Sequence, residues 1–127
     1  MRNTINVYKA LSDTNRVRIL MMLKNKPLCV CEIVDILELA NSTVSKHLSI
    51  LRNANLIMDE KDGRWVNYRI ANVNESEDIS MVLAHLAEQL QNDPLIEADS
   101  KRVGAVDRFV ICAPSDPVDE GAANGMA

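Results

Sequence analysis

Two cysteines stand one residue apart in Leu28-Cys29-Val30-Cys31-Glu32-Ile33. Thiolates are soft ligands that select soft metals and metalloids. Val30, Ile33, Val34 and Leu37 recur at i, i+3, i+4 and i+7, which is one face of a helix. The pair therefore falls at a helix start, where the dipole lowers a thiol pKa and raises the thiolate fraction. Within a regular helix, residues two apart point about 200° from each other. The sulfurs converge only if the first turn is unwound, so a ligand drawing them together would distort that helix. A plain packing role also satisfies both residues, because cysteine is among the most buried residue types. The pattern leaves both readings open.

A second group of candidate residues follows: Asn41, Ser42, Thr43, Ser45, Lys46 and His47. The spacing predicts a helix over about 43–52, capped by Asn41 or Ser42, with Val44, Leu48 and Leu51 on its inner face. Ser42, Lys46 and Ser49 fall opposite, flanked by Thr43 and Ser45. A solvated face is usually rich in Glu and Lys, whereas this one is small hydroxyls and one Lys. Short side chains let a helix approach base edges in the major groove of B-DNA, about 12 Å wide. Thr43 and Ser45 suit bases or phosphates, and Lys46 and His47 suit backbone or purine acceptors. For His47, a cap or packing role stands equally beside base contact. Two strand-like runs around Asp62-Gly63 then predict a β-hairpin. Lys61 and Arg64 at its tip suit flanking phosphates or a minor groove.

The elements that must position these groups are mostly helical. Asn3 to Leu11 suits a short helix with Ile5, Tyr8 and Leu11 as its apolar stripe. Ser12 to Asn15 is a run of capping residue types. The next helix is expected to turn Val17, Leu20, Met21 and Leu23 inward and Arg16, Arg18 and Lys24 outward. Asn25-Lys26-Pro27 ends it. A last helix is expected over Glu75 to Gln91, its acidic start complementing the dipole. Its stripe of Ile79, Val82, Leu83, Leu86 and Leu90 is wider than one small domain needs to bury. Asn92-Asp93-Pro94 breaks it. The chain thus divides into a domain over 1–92 and an extension over 93–127, expected to be partly disordered beyond about Pro114.

Composition bounds the classes. The 127 residues suit one domain with an appended element. No run approaches the ~18 apolar residues of a membrane span, and the N-terminus has no apolar signal core. Three cysteines is an odd count, against a secreted disulfide framework and for a reducing cytoplasm. Aromatics at 3% argue against stacking platforms for single strands. The net charge of −4 hides an asymmetry. Residues 1–70 carry 11 Lys/Arg against 7 Asp/Glu, and residues 71–127 carry 3 against 11. The basic first part is the one suited to a polyanion.

Three segments, in order, resemble the ArsR family of winged-helix regulators. Tyr8-Lys9-Ala10-Leu11-Ser12-Asp13-Thr14-Asn15-Arg16-Val17-Arg18-Ile19-Leu20 is similar to its opening signature. Asn41-Ser42-Thr43-Val44-Ser45-Lys46-His47-Leu48-Ser49-Ile50-Leu51-Arg52 resembles its recognition helix, and Gly63-Arg64-Trp65-Val66-Asn67-Tyr68-Arg69 its wing. Thr14 stands where the family often has Pro, and Ala40 where a capping Ser is usual. The resemblance implies a mainly α fold with a small β-hairpin, a winged helix-turn-helix dimerising through its first and last helices. It implies a homodimer on an inverted repeat of double-stranded DNA, acting as a repressor.

The cysteine element resembles that of the family's arsenite-responsive and cadmium/lead-responsive branches. The resemblance implies As(III) or Sb(III) as inducer on Cys29 and Cys31, and no catalytic cofactor. Arsenite prefers three thiolates, and the branch's third cysteine position is Val34 here, so Cys112 is the candidate third ligand. The family's other metal site is not expected, because Ser80 follows Asp78 two residues on and His85 has no downstream His partner. Cadmium, lead or thiol oxidation are alternative signals. A small thiol-dependent reductase is the alternative class. The chain has no Cys-x-x-Cys, no βαβ pattern and no paired acid/base carboxylates, so an enzyme is not expected.

Overall fold

The computed structural model describes residues 2–107. In chain order the elements are α1 (Arg2–Ala10), α2 (Thr14–Asn25), β1 (Leu28–Cys29), α3 (Val30–Leu37), α4 (Asn41–Asn53), β2 (Ile57–Asp62), β3 (Trp65–Ile70), α5 (Ile79–Gln89) and α6 (Pro94–Ala105). The core lies among α2, α3 and α4. Ile19, Leu20 and Met22 meet Ile33 and Ile36, and Val44, Leu48 and Leu51 close it from below the exposed face of α4. The inner face predicted for α4 is the buried one.

Helix ends follow from side-chain chemistry. The Asp13 carboxylate accepts from the amides of Asn15 and Arg16 at 2.8 and 3.2 Å and starts α2. Glu32 reaches back to accept from the Cys29 amide at 2.8 Å, the acidic half of a capping box. Glu38 adopts the left-handed conformation, φ 57°, and ends α3 with its amide on the Val34 carbonyl. Only Leu39 and Ala40 then separate this turn from α4. The expected cap at Asn41 or Ser42 is not found. Ala40 holds the N-cap position with no capping side chain, and α4 starts at Asn41. Asn41 instead accepts a hydrogen bond from the Ser45 hydroxyl at 3.4 Å.

The sheet has three antiparallel strands in the order β1-β3-β2. In the hairpin, Asp62 pairs with Trp65, so the loop is Gly63-Arg64, one residue beyond the expected Asp62-Gly63. Gly63 takes φ 62° at the first loop position, a conformation open to glycine at no steric cost. The two-residue β1 has no sequence signature. It pairs Leu28 with Tyr68 and Cys29 with Asn67.

Three helices depart from expectation. In α1, Val7 and Ala10 are buried, whereas Ile5 and Tyr8 are 47% and 64% exposed. The smaller side chains allow close approach to α4, and the larger ones are turned out. The last predicted helix starts at Ile79 rather than Glu75. Its expected first turn is occupied otherwise: Arg69 forks onto the Glu75 carboxylate at 2.8 and 2.9 Å, which also accepts from the Asn72 amide at 2.9 Å. Of its stripe, Ile79 and Val82 are buried, Leu83, Leu86 and Leu90 are half-buried, and neighbouring Met81 is exposed.

The third departure is α6, which the sequence reading did not anticipate. Pro94 breaks α5's path but stands at the start of α6, where its missing N–H costs nothing. Asp93 caps the helix by accepting from the amides of Leu95 and Ile96. Arg18, expected outward, donates in a fork to the buried Asp99 carboxylate at 2.8 and 2.9 Å. One turn on, Arg102 donates to the carbonyls of Ile36 and Asp35, each at 2.8 Å. α6 is thereby tied to α2 and to the end of α3.

Two measurements test these contacts. Asp99→Ala leaves Arg18 largely buried without its counter-ion. It should lower unfolding stability by about 3 kcal/mol in urea titration. The Arg69 fork, and then the Asn72 amide, hold the Glu75 carboxyl at about 2, against an ordinary value of 4.5. Its stabilisation is complete above about pH 4.5 and is lost as pH falls toward 2. Wild type should exceed Glu75→Gln in stability near neutrality, and that difference should shrink through this window.

Candidate nucleic-acid interface and thiol element

The helix-turn-helix formed by α3 and α4 presents the predicted polar face outward. Asn41, Ser42, Thr43, Ser45, Lys46 and Ser49 are all exposed, while Val44, Leu48 and Leu51 anchor the helix beneath them. No acidic residue lies in the first turn of α4, and no side chain caps it. Its amide groups and the positive end of its dipole therefore face outward, an arrangement suited to phosphate. Lys61 and Arg64 are exposed at and beside the hairpin tip.

His47 differs from its neighbours. It is half-buried, and its Nδ1 lies 3.2 Å from Arg16 Nη1. A guanidinium only donates, so Nδ1 accepts and the ring proton sits on Nε2. The same guanidinium donates to the carbonyls of Ala10 and Lys9 at 2.9 and 3.1 Å. Arg16 thus fastens the end of α1 and the start of α2 to α4. Sequence reasoning placed Arg16 outward and missed this. No local pattern signals it, because its partners come from two other elements, α1 and α4.

The thiol element sits where strand becomes helix. Cys29 is the last residue of β1 and the N-cap of α3, extended at φ −89° and ψ 169°, and buried. The opposed directions of a regular helix therefore do not apply to this pair. Cys31 lies half-buried in the first turn of α3. It is disulfide-bonded, so it offers a thiolate only when reduced. Cys112 lies outside the described residues. Among the described residues, no group of three or more His, Cys, Asp or Glu side chains is placed to hold a metal.

Residues 13–59, from the cap of α2 into β2, match the model of the bacterial regulatory protein, arsR family. The cadmium resistance transcriptional regulatory protein CadC homolog of Staphylococcus aureus is 34% identical over 83 residues, 65% of this chain and 69% of that protein. The chain belongs to the ArsR family. The arsenic resistance transcriptional regulator ArsR1 of Pseudomonas putida is 43% identical over 65 residues, 50% of this chain and 51% of that one. The arsenical resistance operon repressor of Escherichia coli is 37% identical over 68 residues, 53% and 58% respectively. The matched region thus spans little more than half the length of these two relatives. Among solved structures, a homodimeric winged helix-turn-helix DNA-binding domain from Mycobacterium bovis superposes with a TM-score of 0.59 at 25% identity, covering 73% of this chain and 86% of that one. These relatives are named as transcriptional regulators and a DNA-binding domain, not as enzymes. Among the described residues, no helix is long and apolar enough to cross a membrane.

The expectation that Lys46 contacts phosphate makes a quantitative prediction. Lys46→Ala should weaken duplex binding about uniformly across sequences and reduce the slope of log affinity against log salt by about 1. Fluorescence anisotropy over a salt series reads both.

Proposed function

We propose that the protein is a cytoplasmic, homodimeric repressor that binds an inverted-repeat operator and is released when As(III) or Sb(III) binds the thiolates of Cys29 and Cys31. Cys112 is the candidate third thiolate. The observation that carries the reading is the position of Cys29. It ends a strand hydrogen-bonded to the wing and caps the first helix of the DNA-facing pair. A ligand pulling on Cys29 acts on both elements at once, so its binding energy can be spent on lowering DNA affinity.

Dimerisation through α1 and α5 is supported by the apolar side chains these helices leave outside the monomer core. Ile5, Tyr8 and Met81 are exposed and Leu83 and Leu86 are half-covered. In such a dimer, two α4 helices would enter successive major grooves on one side of the duplex. Asn41, Ser42, Thr43, Ser45 and Lys46 would meet bases and phosphates, with His47 offering Nε2–H, while Lys61 and Arg64 reach flanking phosphates. Cadmium or lead is the second reading of the signal, supported by the cadmium-resistance relative and by the presence of only two thiols in this element. Thiol oxidation is the third, supported by the bonded state of Cys31.

Gel-shift titration of the reduced protein separates these signals. Arsenite should release the wild-type dimer from its operator. Cys29→Ser and Cys31→Ser should bind DNA with near wild-type affinity and stay bound at arsenite levels that clear the wild type. Normal release of both variants would remove the thiol site from the mechanism. Release by cadmium or peroxide alone would select one of the other signals.

A further inference from the structure

One buried side-chain oxygen among the described residues has no hydrogen-bond partner, Oδ1 of Asn67. Buried polar atoms are nearly always satisfied, and an orphan marks a missing water, ion or functional contact. Asn67 stands directly across the sheet from Cys29. Side chains of directly opposed antiparallel residues leave the sheet on one face, with Cβ atoms about 5 Å apart. The Asn67 amide nitrogen donates to Asp62 at 3.2 Å, which fixes the amide so that its oxygen is the free end. Nearby carboxylates are committed elsewhere. Glu32 accepts from the Cys29 amide at 2.8 Å, and Glu60 pairs with Arg69 at 3.1 Å.

We propose that the Asn67 amide oxygen is the third donor of the thiol site, making a two-sulfur, one-oxygen set for a divalent cation of borderline softness. This rests on Cys29 and Cys31 being the ligand thiols. Cys31 is disulfide-bonded, so an external thiol must first reduce it, taking up the disulfide in exchange; from that reduced state, binding replaces two thiol protons by one cation. The amide contributes a lone pair, no proton moves on Asn67, and nothing is oxidised or reduced in the binding step. Two thiolates balance the double charge, so a neutral oxygen completes a set that is electrically neutral and cheap to bury. As(III) forms covalent bonds to thiolates and gains little from a neutral amide. The oxygen therefore favours divalent cations. It also joins the ligand to β3 by a side chain as well as through the backbone ladder.

The test uses the full chain under reductant, titrated with cadmium chloride against a competing chelator and followed by thiolate-to-metal charge-transfer absorption. Arsenite is titrated in parallel. Asn67→Ala should weaken cadmium binding at least about 10-fold and leave arsenite binding unchanged. Asn67→Asp, which keeps an oxygen, should bind cadmium at least as tightly as wild type. Wild-type cadmium affinity in Asn67→Ala would overturn the assignment. So would an equal loss of both ligands, or a loss of cadmium affinity in Asn67→Asp as well. Undiminished binding of cadmium and arsenite to Cys29→Ser and Cys31→Ser would instead refute the thiol site beneath it.

Discussion

Two residue pairs, Leu28 with Tyr68 and Cys29 with Asn67, join the thiol element to the wing. Without them, the hairpin would be a two-stranded ribbon held to the body by side-chain packing alone, with Ile57 in the core and Tyr68 and Ile70 against it. With them, β3 is a central strand, and its position is fixed relative to the start of α3. Leu28 is fully buried, so the short strand is anchored in the core by its side chain as well as by its ladder. The wing and the helix pair consequently share one rigid corner, and Cys29 stands at it.

The helix proposed to face DNA, α4, has the opposite construction. Val44, Leu48 and Leu51 hold α4 from beneath, and on its outer face the Ser45 hydroxyl donates to Asn41 within the helix itself. Arg16 is the main polar link between α4 and the helices before it, through His47. α6 adds a second restraint at the other end of the helix pair. Its Arg102 binds the last carbonyls of α3, and its Asp99 is fixed by Arg18. The start of α3 is therefore joined to the wing and its end to α6. In the mechanism proposed above, a disturbance of the first turn is passed on through these joints rather than absorbed locally.

What was legible in the sequence had a period or a special residue. The apolar spacing of α4 gave its inner face, and with it the exposure of Thr43, Ser45 and Lys46. Gly63 marked the hairpin to within one residue. The spacing of Val30, Ile33, Val34 and Leu37 placed the cysteine pair at a helix start. β1 was illegible because two residues carry no periodicity, and it exists only because Tyr68 and Asn67 lie beside it. α6 was missed for two reasons. Pro94 both breaks one helix and begins another, and Asp99 and Arg102 find their partners far away in sequence. The face of α1 was misassigned because hydrophobicity favoured Ile5 and Tyr8, while close packing favoured Val7 and Ala10. The absent cap at Ala40 was read as a displaced one. A turn this short holds α4 through its buried side chains, so no capping side chain is required.

The link between the thiols and the DNA-facing surface is open to direct observation by amide chemical shifts in ¹⁵N-labelled, reduced protein titrated with arsenite. If ligand force travels through the corner at Cys29, the amides of Asn67 and Tyr68 in β3 and those along α4 will shift together with residues 29–33, at the same stoichiometry. Shifts confined to the first turn of α3, with β3 and α4 unmoved at saturation, would show that the corner does not transmit.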